Sequence, residues 1–436
     1  FTLTGDQASA IDALRGERAG EHPAQRLRLG EVGSGKTVVA LFAMLRAVEH
    51  GHQAALMAPT ETLAEQHFAT IQRLLGGEPV TLALLTGSTP AARRAELLDR
   101  LRSGECSLLV GTHALIEDAV VFRSLAVAVV DEQHRFGVRQ RSALVAKAPA
   151  GLAPHVLHMT ATPIPRTLAL CEYGDLDQTR LRELPRGRQP IATHVISGER
   201  ERARAYERIR EEVAAGRQAF VVCPLVEMGE EETDVLVSAR AATAEFERLR
   251  AGELRDYRVV LLHGQMAHRE KQEAMAAFAA GEADVLVATT VIEVGIDVPN
   301  ATVMLVENAE RFGISQLHQL RGRVGRGADA SLCLLFGPKS SPRLQALAEH
   351  EDGFALAEID LRLRREGELI GTRQSGVGRF AVAQLPGDEG LLLAARECAV
   401  AVIAADPKLA QPEHALLADR LTEVHGEIAS AHPIAA

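Results

Sequence analysis

The 436-residue chain has no apolar run near the roughly 18 residues that a membrane-crossing helix needs, and its start has no basic-then-apolar leader pattern. Both absences make a cytoplasmic protein the expectation. The first residue is Phe1 and not Met, which suggests that something upstream has been removed. The five cysteines, Cys106, Cys171, Cys223, Cys333 and Cys398, lie far apart without C-x-x-C pairs, which argues against a zinc site or a disulfide framework. The late histidines His425 and His432 lack ligand spacing. An excess of positive charge is missing too, the net charge being -10. That speaks against a polyanionic partner only weakly, because nucleic-acid binding depends on local basic grooves and backbone amides. What is present is an ordinary soluble composition, 47% hydrophobic and 24% charged, over a length that suits two or three domains.

Gly30 to Thr37 reads Gly-Glu-Val-Gly-Ser-Gly-Lys-Thr and matches the phosphate-loop pattern at every required position. Gly30, Gly33 and Gly35 let the backbone curl so that amides, including that of Ser34, point at phosphate oxygens at a helix start. Lys36 would reach the β- and γ-phosphates, and the Thr37 hydroxyl would take a place on Mg²⁺. Leu27 and Leu29 predict a strand before the loop, and Val38 to Leu45 a buried helix after it. Upstream, Gln7 follows a candidate N-cap at Thr4; its amide can pair with both the donor and the acceptor edge of adenine.

After the loop, short apolar runs alternate with helical stretches, which indicates a parallel sheet with crossovers. Pro59-Thr60, Thr86-Gly87 and Thr112-His113 each sit where a strand should end, and Thr60 and Thr112 should each open a helix. That edge is where α/β sheets bind ligands, and small hydroxyl residues with backbone amides there suit phosphodiester contacts. Ala126 to Val130 reads as a buried strand ending in Asp131-Glu132-Gln133-His134. Asp131 is assigned to Mg²⁺ and Glu132 to the attacking water. His134 either senses the γ-phosphate or bonds within the lobe. Thr160 and Thr162, after the strand Val156 to Met159, could link nucleotide and polymer sites by exchanging hydrogen-bond partners.

A turn-rich segment, Leu184 to Pro190, marks a boundary, beyond which the α/β pattern repeats without a second phosphate loop. His263-Gly264 and Thr289-Thr290 follow strands there. Arg321, Arg323 and Arg326 crowd a glycine-interleaved segment with too few acids nearby, an arrangement that an anion would complete. An arginine supplied across a cleft can raise phosphoryl-transfer rates by about 10³ to 10⁵, so Arg323 and Arg326 are the candidates.

These blocks, in this order, resemble the motor core of superfamily 2 helicases. Within it the chain is similar to the RecG family of bacterial DNA helicases. The resemblance rests on Asp131 to Val138, Thr160 to Thr167, Cys223 to Glu227, Thr290 to Asn300 and Gly371 to Gly376. It implies an α/β fold of two tandem RecA-like lobes with parallel sheets, residues 1–185 and 186–340, then a translocation hairpin and C-terminal helices over 341–436. It adds Asp297 to the nucleotide-binding residues and implies a DNA-contact or coupling role for His263-Gly264 and Thr289-Thr290. It also gives Arg364 and Gln374 as the hairpin arginine and loop glutamine that grip duplex DNA, with Arg343 as a second hairpin arginine. The implied cofactors are ATP and Mg²⁺. The implied partners are branched or duplex DNA, such as stalled forks and Holliday junctions, and a single-strand-binding protein; the chain would be a monomer away from membranes. Glu31 stands where the family usually has Asp, and Arg365 where it has Gly. The family's N-terminal wedge domain is not in this sequence, and a motor without it is expected to hydrolyse ATP but unwind forks poorly. Two other readings are a translocase like the transcription-repair coupling factor, which displaces RNA polymerase, and a nucleotide-gated DNA clamp without turnover. Gln133, where the coupling factors resemble Glu, favours the first reading over that translocase. Lys36, Glu132, Arg323 and Arg326 argue against the clamp.

Overall fold

Buried runs such as Gln53–Met57 and Leu108–Gly111 become the strands of two parallel sheets in the computed structural model. The residues described are 3–17, 25–30, 33–149, 152–160, 177–183, 189–224, 233–289, 298–327, 329–370 and 388–425. The first sheet comprises β1 (Gln25–Gly30), β2 (Gln53–Met57), β3 (Leu82–Leu85), β4 (Leu108–Gly111), β5 (Leu125–Val130), β6 (His155–Thr160) and β7 (Asp177–Leu181). Their spatial order is β3-β4-β2-β5-β6-β1-β7. Parallel neighbours cannot be joined by a tight hairpin, so the chain returns through crossovers. These include α2 (Lys36–Glu49), α3 (Glu61–Leu75), α4 (Ala91–Ser103) and α5 (Val138–Val145), while α1 (Gly5–Glu17) precedes β1. Alternate residues of each central strand feed two cores. Ala54 and Leu56 of β2 join Met44 and Ile71 on one face. Ala55 and Met57 join Leu97, Leu101 and Leu144 on the other. Burial on both faces is why these strands read as unbroken apolar runs.

Register places the strand ends side by side: Met57 pairs with Gly111 and Val130, Leu85 with Gly111, and Leu29 with Thr160. The phosphate loop, Pro59-Thr60, Thr86-Gly87, Thr112-His113, Asp131-Glu132 and Thr160 therefore emerge along one edge.

The second sheet comprises β8 (Ile191–Ile196), β9 (Gln218–Val222), β10 (Val259–Leu262), β11 (Val285–Ala288), β12 (Ala301–Val306) and β13 (Ser331–Phe336), in the order β10-β11-β9-β12-β13-β8. Around it lie α6 (Gly198–Ala214), α7 (Thr233–Ala251), α8 (His268–Ala279) and α9 (Ile314–Arg321). Next come α10 (Pro342–Glu349) and α11 (Gly353–Ile370), which pack on α9, and then α12 (Glu389–Ala405) and α13 (Ala415–His425). Gln272 of α8 donates to Glu65 of α3 at 3.3 Å, linking the lobes.

The order of strands makes β8 the counterpart of β1, β9 of β2 and β12 of β5. The turns after β5 and β12 repeat one design. Glu132 and Asn308, each second after its strand, adopt left-handed backbone with φ 48° and 47°, and a 3₁₀ turn follows. Arg-Phe-Gly comes next in both, and the amides of Gly137 and Gly313 donate to Gln140 Oε1 and Gln316 Oε1 at 3.1 Å.

One expectation differs from the structure: Thr112-His113 opens a single 3₁₀ turn, His113–Ile116, and not an α-helix. The strands β7 and β8 interleave polar residues and lie at sheet edges, where one side is open and polar residues are tolerated, while β3, Leu-Ala-Leu-Leu, is a short apolar edge strand.

Candidate nucleotide and DNA site

The loop after β1 is held by two glycines that a side chain would not fit. Gly33 and Gly35 have φ near 81° and 80°, a conformation costly for residues with a Cβ. A Cβ on Gly35 would also sit 2.3 Å from Gln7 Nε2. Gln7 is buried, donates from Nε2 to the Ser34 carbonyl at 2.9 Å, and accepts from Thr4 N at 3.1 Å. The structure thus brings Gln7 to the phosphate loop; adenine pairing would use its remaining amide hydrogen and lone pair. Lys36, first residue of α2, donates from Nζ to Gly30 O at 2.9 Å, and Thr37 follows it on the helix. Ser34 is fully buried, and its hydroxyl has no partner among the described residues.

Asp131 lies at the end of β5, buried, with Oδ1 accepting from Glu132 N at 3.0 Å and Oδ2 2.6 Å from His67 Nε2. Burial alone would push its carboxyl up. His67, the Lys36 ammonium and the Glu132 amide outweigh burial and hold it below the usual carboxylate range. His67 was silent in the sequence, one histidine inside an amphipathic helix. Glu132, in its left-handed turn, accepts from Thr160 Oγ1 at 3.4 Å. Gln133 is buried with neither amide atom partnered among the described residues.

These residues suit a Mg²⁺-nucleotide. The loop has an orphaned hydroxyl and a lysine resting on a carbonyl, and an ionised carboxylate ends β5, two strands along the sheet. Among the described residues no group of three or more His, Cys, Asp or Glu could hold a metal by itself.

Along the same edge Thr60 caps α3 by accepting from Leu63 N at 3.3 Å, after half-buried Pro59. Thr86 Oγ1 lies 2.9 Å from Ser88 Oγ beside exposed Gly87, and Ser88 N donates to Glu61 Oε1 at 3.0 Å. His113 is exposed, whereas the Thr112 hydroxyl is buried without a partner among the described residues. In the second lobe His263, half-buried, and Gly264, exposed, follow β10, and Thr289 follows β11. The Thr289 hydroxyl and His263 Nδ1 also lack partners among the described residues. Thr162, Thr290, Asp297, Gln374 and Glu31 lie outside the described residues, and Arg364 is placed only as part of α11.

The arginine segment divides. Arg321 is buried and donates to the carbonyls of Leu347, His350 and Glu351 at 2.8–2.9 Å and to His318 Nδ1 at 2.9 Å. Its charge is completed by the chain itself, so the expected need for an anion does not extend to it. Arg323 and Arg326 are half-buried beyond α9, and Arg326 Nε donates to Gly322 O at 3.1 Å.

In the second lobe the position of Asp131 is taken by Glu307. It is buried and accepts from Tyr206 OH at 2.8 Å and Arg202 at 2.9 Å, both on α6. Burial pushes its carboxyl up, against the pull of Arg202 and Tyr206.

Residues 4–170 match the DEAD/DEAH box helicase family, 201–328 the helicase conserved C-terminal domain, and 350–431 the C-terminal part of domain 3 of the ATP-dependent DNA helicase RecG. The chain is 52% identical to the ATP-dependent DNA helicase RecG of Mycobacterium tuberculosis, over 97% of this chain and 60% of that protein. With the Bacillus subtilis RecG the identity is 44%, over 97% and 61%. A solved structure of RecG bound to a three-way DNA junction matches 90% of this chain and 50% of its own, with a TM-score of 0.73 and 40% identity. The yeast Dbp5 bound to RNA and ADP BeF3, 17% identical with a TM-score of 0.55, shares the fold. The chain spans about 60% of the length of these curated relatives.

Proposed function

The chain belongs to the RecG family of ATP-dependent DNA helicases, and on that premise we propose that it is the ATP-hydrolysing motor of a helicase acting on branched DNA. The observation that carries this reading is one sheet edge. It holds the Lys36 loop, Asp131 and Glu132, with Thr160 at the end of β6 donating to Glu132, while the turns bearing Thr60, Thr86 and Thr112 lie further along the same edge beyond β5.

In this reading Lys36 leaves the Gly30 carbonyl for the β- and γ-phosphates, while the loop amides from Gly33 to Thr37 receive the rest. Mg²⁺, held by Thr37 and Asp131, would offset negative charge developing on the phosphates. Glu132 orients the attacking water and takes its proton. Arg323 and Arg326 would approach from the second lobe, and Asp297 would take part in binding the nucleotide. Pro59, Thr60, Thr86, Gly87, Thr112, His113, Thr162, His263, Gly264, Thr289 and Thr290 contact the DNA backbone or couple it to the nucleotide. Arg364 and Gln374 convert lobe closure into a step on duplex DNA. The lobes are taken as residues 1–185 and 186–340, with 341–436 as the translocation region. We place the active protein as a monomer in the cytoplasm with a single-strand-binding protein as accessory partner. No helix among the described residues is long and apolar enough to cross a membrane.

Phosphate release with and without a three-way DNA junction tests the assignment. Wild type should be stimulated by the junction, and Lys36→Ala should lose turnover by at least about 10³-fold. DNA-stimulated turnover surviving in Lys36→Ala would overturn the site, and absence of turnover in wild type with intact DNA binding would favour a clamp.

A further inference from the structure

Helix α3 joins places that the motor reading treats separately. It starts at the Thr60 cap on the DNA-facing edge, and Glu61 accepts from Ser88 of the neighbouring turn at 3.0 Å. One turn on, Glu65 accepts from Gln272 of the second lobe. His67 then closes on Asp131 at 2.6 Å. Position 67 belongs to the buried stripe of this helix, with Ala64, Ile71 and Leu75. An apolar residue would satisfy that stripe; the imidazole instead places a polar atom on a carboxylate.

We propose that His67 is a positioning residue for the Mg²⁺-bearing carboxylate of Asp131, and that through it α3 passes DNA engagement to the nucleotide site. This rests on the assignment of Asp131 to Mg²⁺ and of Thr60 to DNA. Asp131 has one oxygen fixed by the Glu132 amide and the other by His67, so the carboxylate plane is set from two sides. Groups that orient a metal-bound carboxylate commonly change metal affinity 10- to 100-fold when removed. A stiff helix anchored by a buried stripe moves as a unit, so a small shift at Thr60 or Glu65 reaches His67. The second lobe supplies the contrast. There the equivalent acid, Glu307, accepts directly from Arg202 and Tyr206 of the helix after β8, and α7, the counterpart of α3, reaches it through those two residues, which Glu245 of α7 also engages.

The test uses equilibrium binding of a fluorescent ADP without turnover, titrated with Mg²⁺, in wild type, His67→Leu and His67→Gln. The Gln amide reaches where Nε2 lies, and Leu fills the stripe without a donor. His67→Leu should raise the Mg²⁺ half-saturation about 10- to 100-fold, and His67→Gln should restore most of it. Added three-way junction should change ADP affinity in wild type and His67→Gln but by less than about twofold in His67→Leu, since coupling between two ligands is reciprocal. Equal Mg²⁺ half-saturation in wild type and His67→Leu overturns the positioning role. A shifted half-saturation with unchanged junction coupling overturns the role of α3. Should His67→Leu not fold, His67→Asn replaces it, because its shorter amide falls short of Asp131; equal values for Asn and Gln then overturn the proposal. Failure of the motor reading would show separately, as wild type without DNA-stimulated phosphate release.

Discussion

A methyl group at Gly35 probes how tightly the phosphate loop is specified. Gly35→Ala must hold left-handed backbone at φ 80°, at a cost of roughly 1–2 kcal/mol for a residue with a Cβ. The new carbon also falls 2.3 Å from Gln7 Nε2, which must release the Ser34 carbonyl it reaches at 2.9 Å. Loss of that buried hydrogen bond adds about 1–2 kcal/mol. Together these give roughly 2–4 kcal/mol, or about 30- to 700-fold at 1.4 kcal/mol per decade, borne by the loop and not by the sheet. Titration with fluorescent ADP should show affinity falling by that factor while the circular-dichroism melt moves little. In a Gln7→Ala background the clash is gone, so the Gly35→Ala step should cost about 1–2 kcal/mol less. Affinity within threefold of wild type, or strict additivity of the two substitutions, would refute the reasoning.

Arg321→Met should lower the denaturant midpoint, by roughly 3 kcal/mol or more, because the carbonyls of Leu347, His350 and Glu351 lose their donor; an unchanged midpoint would mean that Arg321 does not hold α10 and α11 to the lobe. His158, buried on β6, is held at about 3 by burial and then by the nearby Arg141 charge, below its ordinary 6.5. The folded state keeps it neutral while the unfolded chain takes up a proton, so stability falls as pH drops from 6.5 toward 3, by about 1.4 kcal/mol per pH unit. His158→Leu should remove that increment from the urea midpoints measured between pH 7 and pH 5, and parallel pH profiles for the two proteins would count against it.

Much of the site was legible because its chemistry demands spacing. The loop from Gly30 to Thr37 could be placed from glycine positions alone, and Asp131 from the apolar strand that precedes it. That Thr160 ends a strand was readable too, but its Glu132 partner was not. What stayed hidden depends on partners distant in sequence. Arg321 reads like Arg323 and Arg326, yet its donors are spent on carbonyls about 30 residues further on. His67 meets Asp131 across 64 positions, and no local pattern marks it. In β7, Asp177-Gln178-Thr179-Arg180-Leu181 has four polar residues, because one side of an edge strand has no neighbour to exclude water. The recurrence of Arg-Phe-Gly at 135–137 and 311–313 becomes meaningful only when strand order shows both copies after corresponding strands.

That recurrence gives the molecule two castings from one mould with opposite fates. In the first, the acid at the strand end faces a lysine-tipped loop; in the second, it is riveted to a tyrosine and an arginine of its own framework. Exchanging Glu307 for Asp would shorten the rivet without supplying a loop, so no single codon change returns the second casting to service.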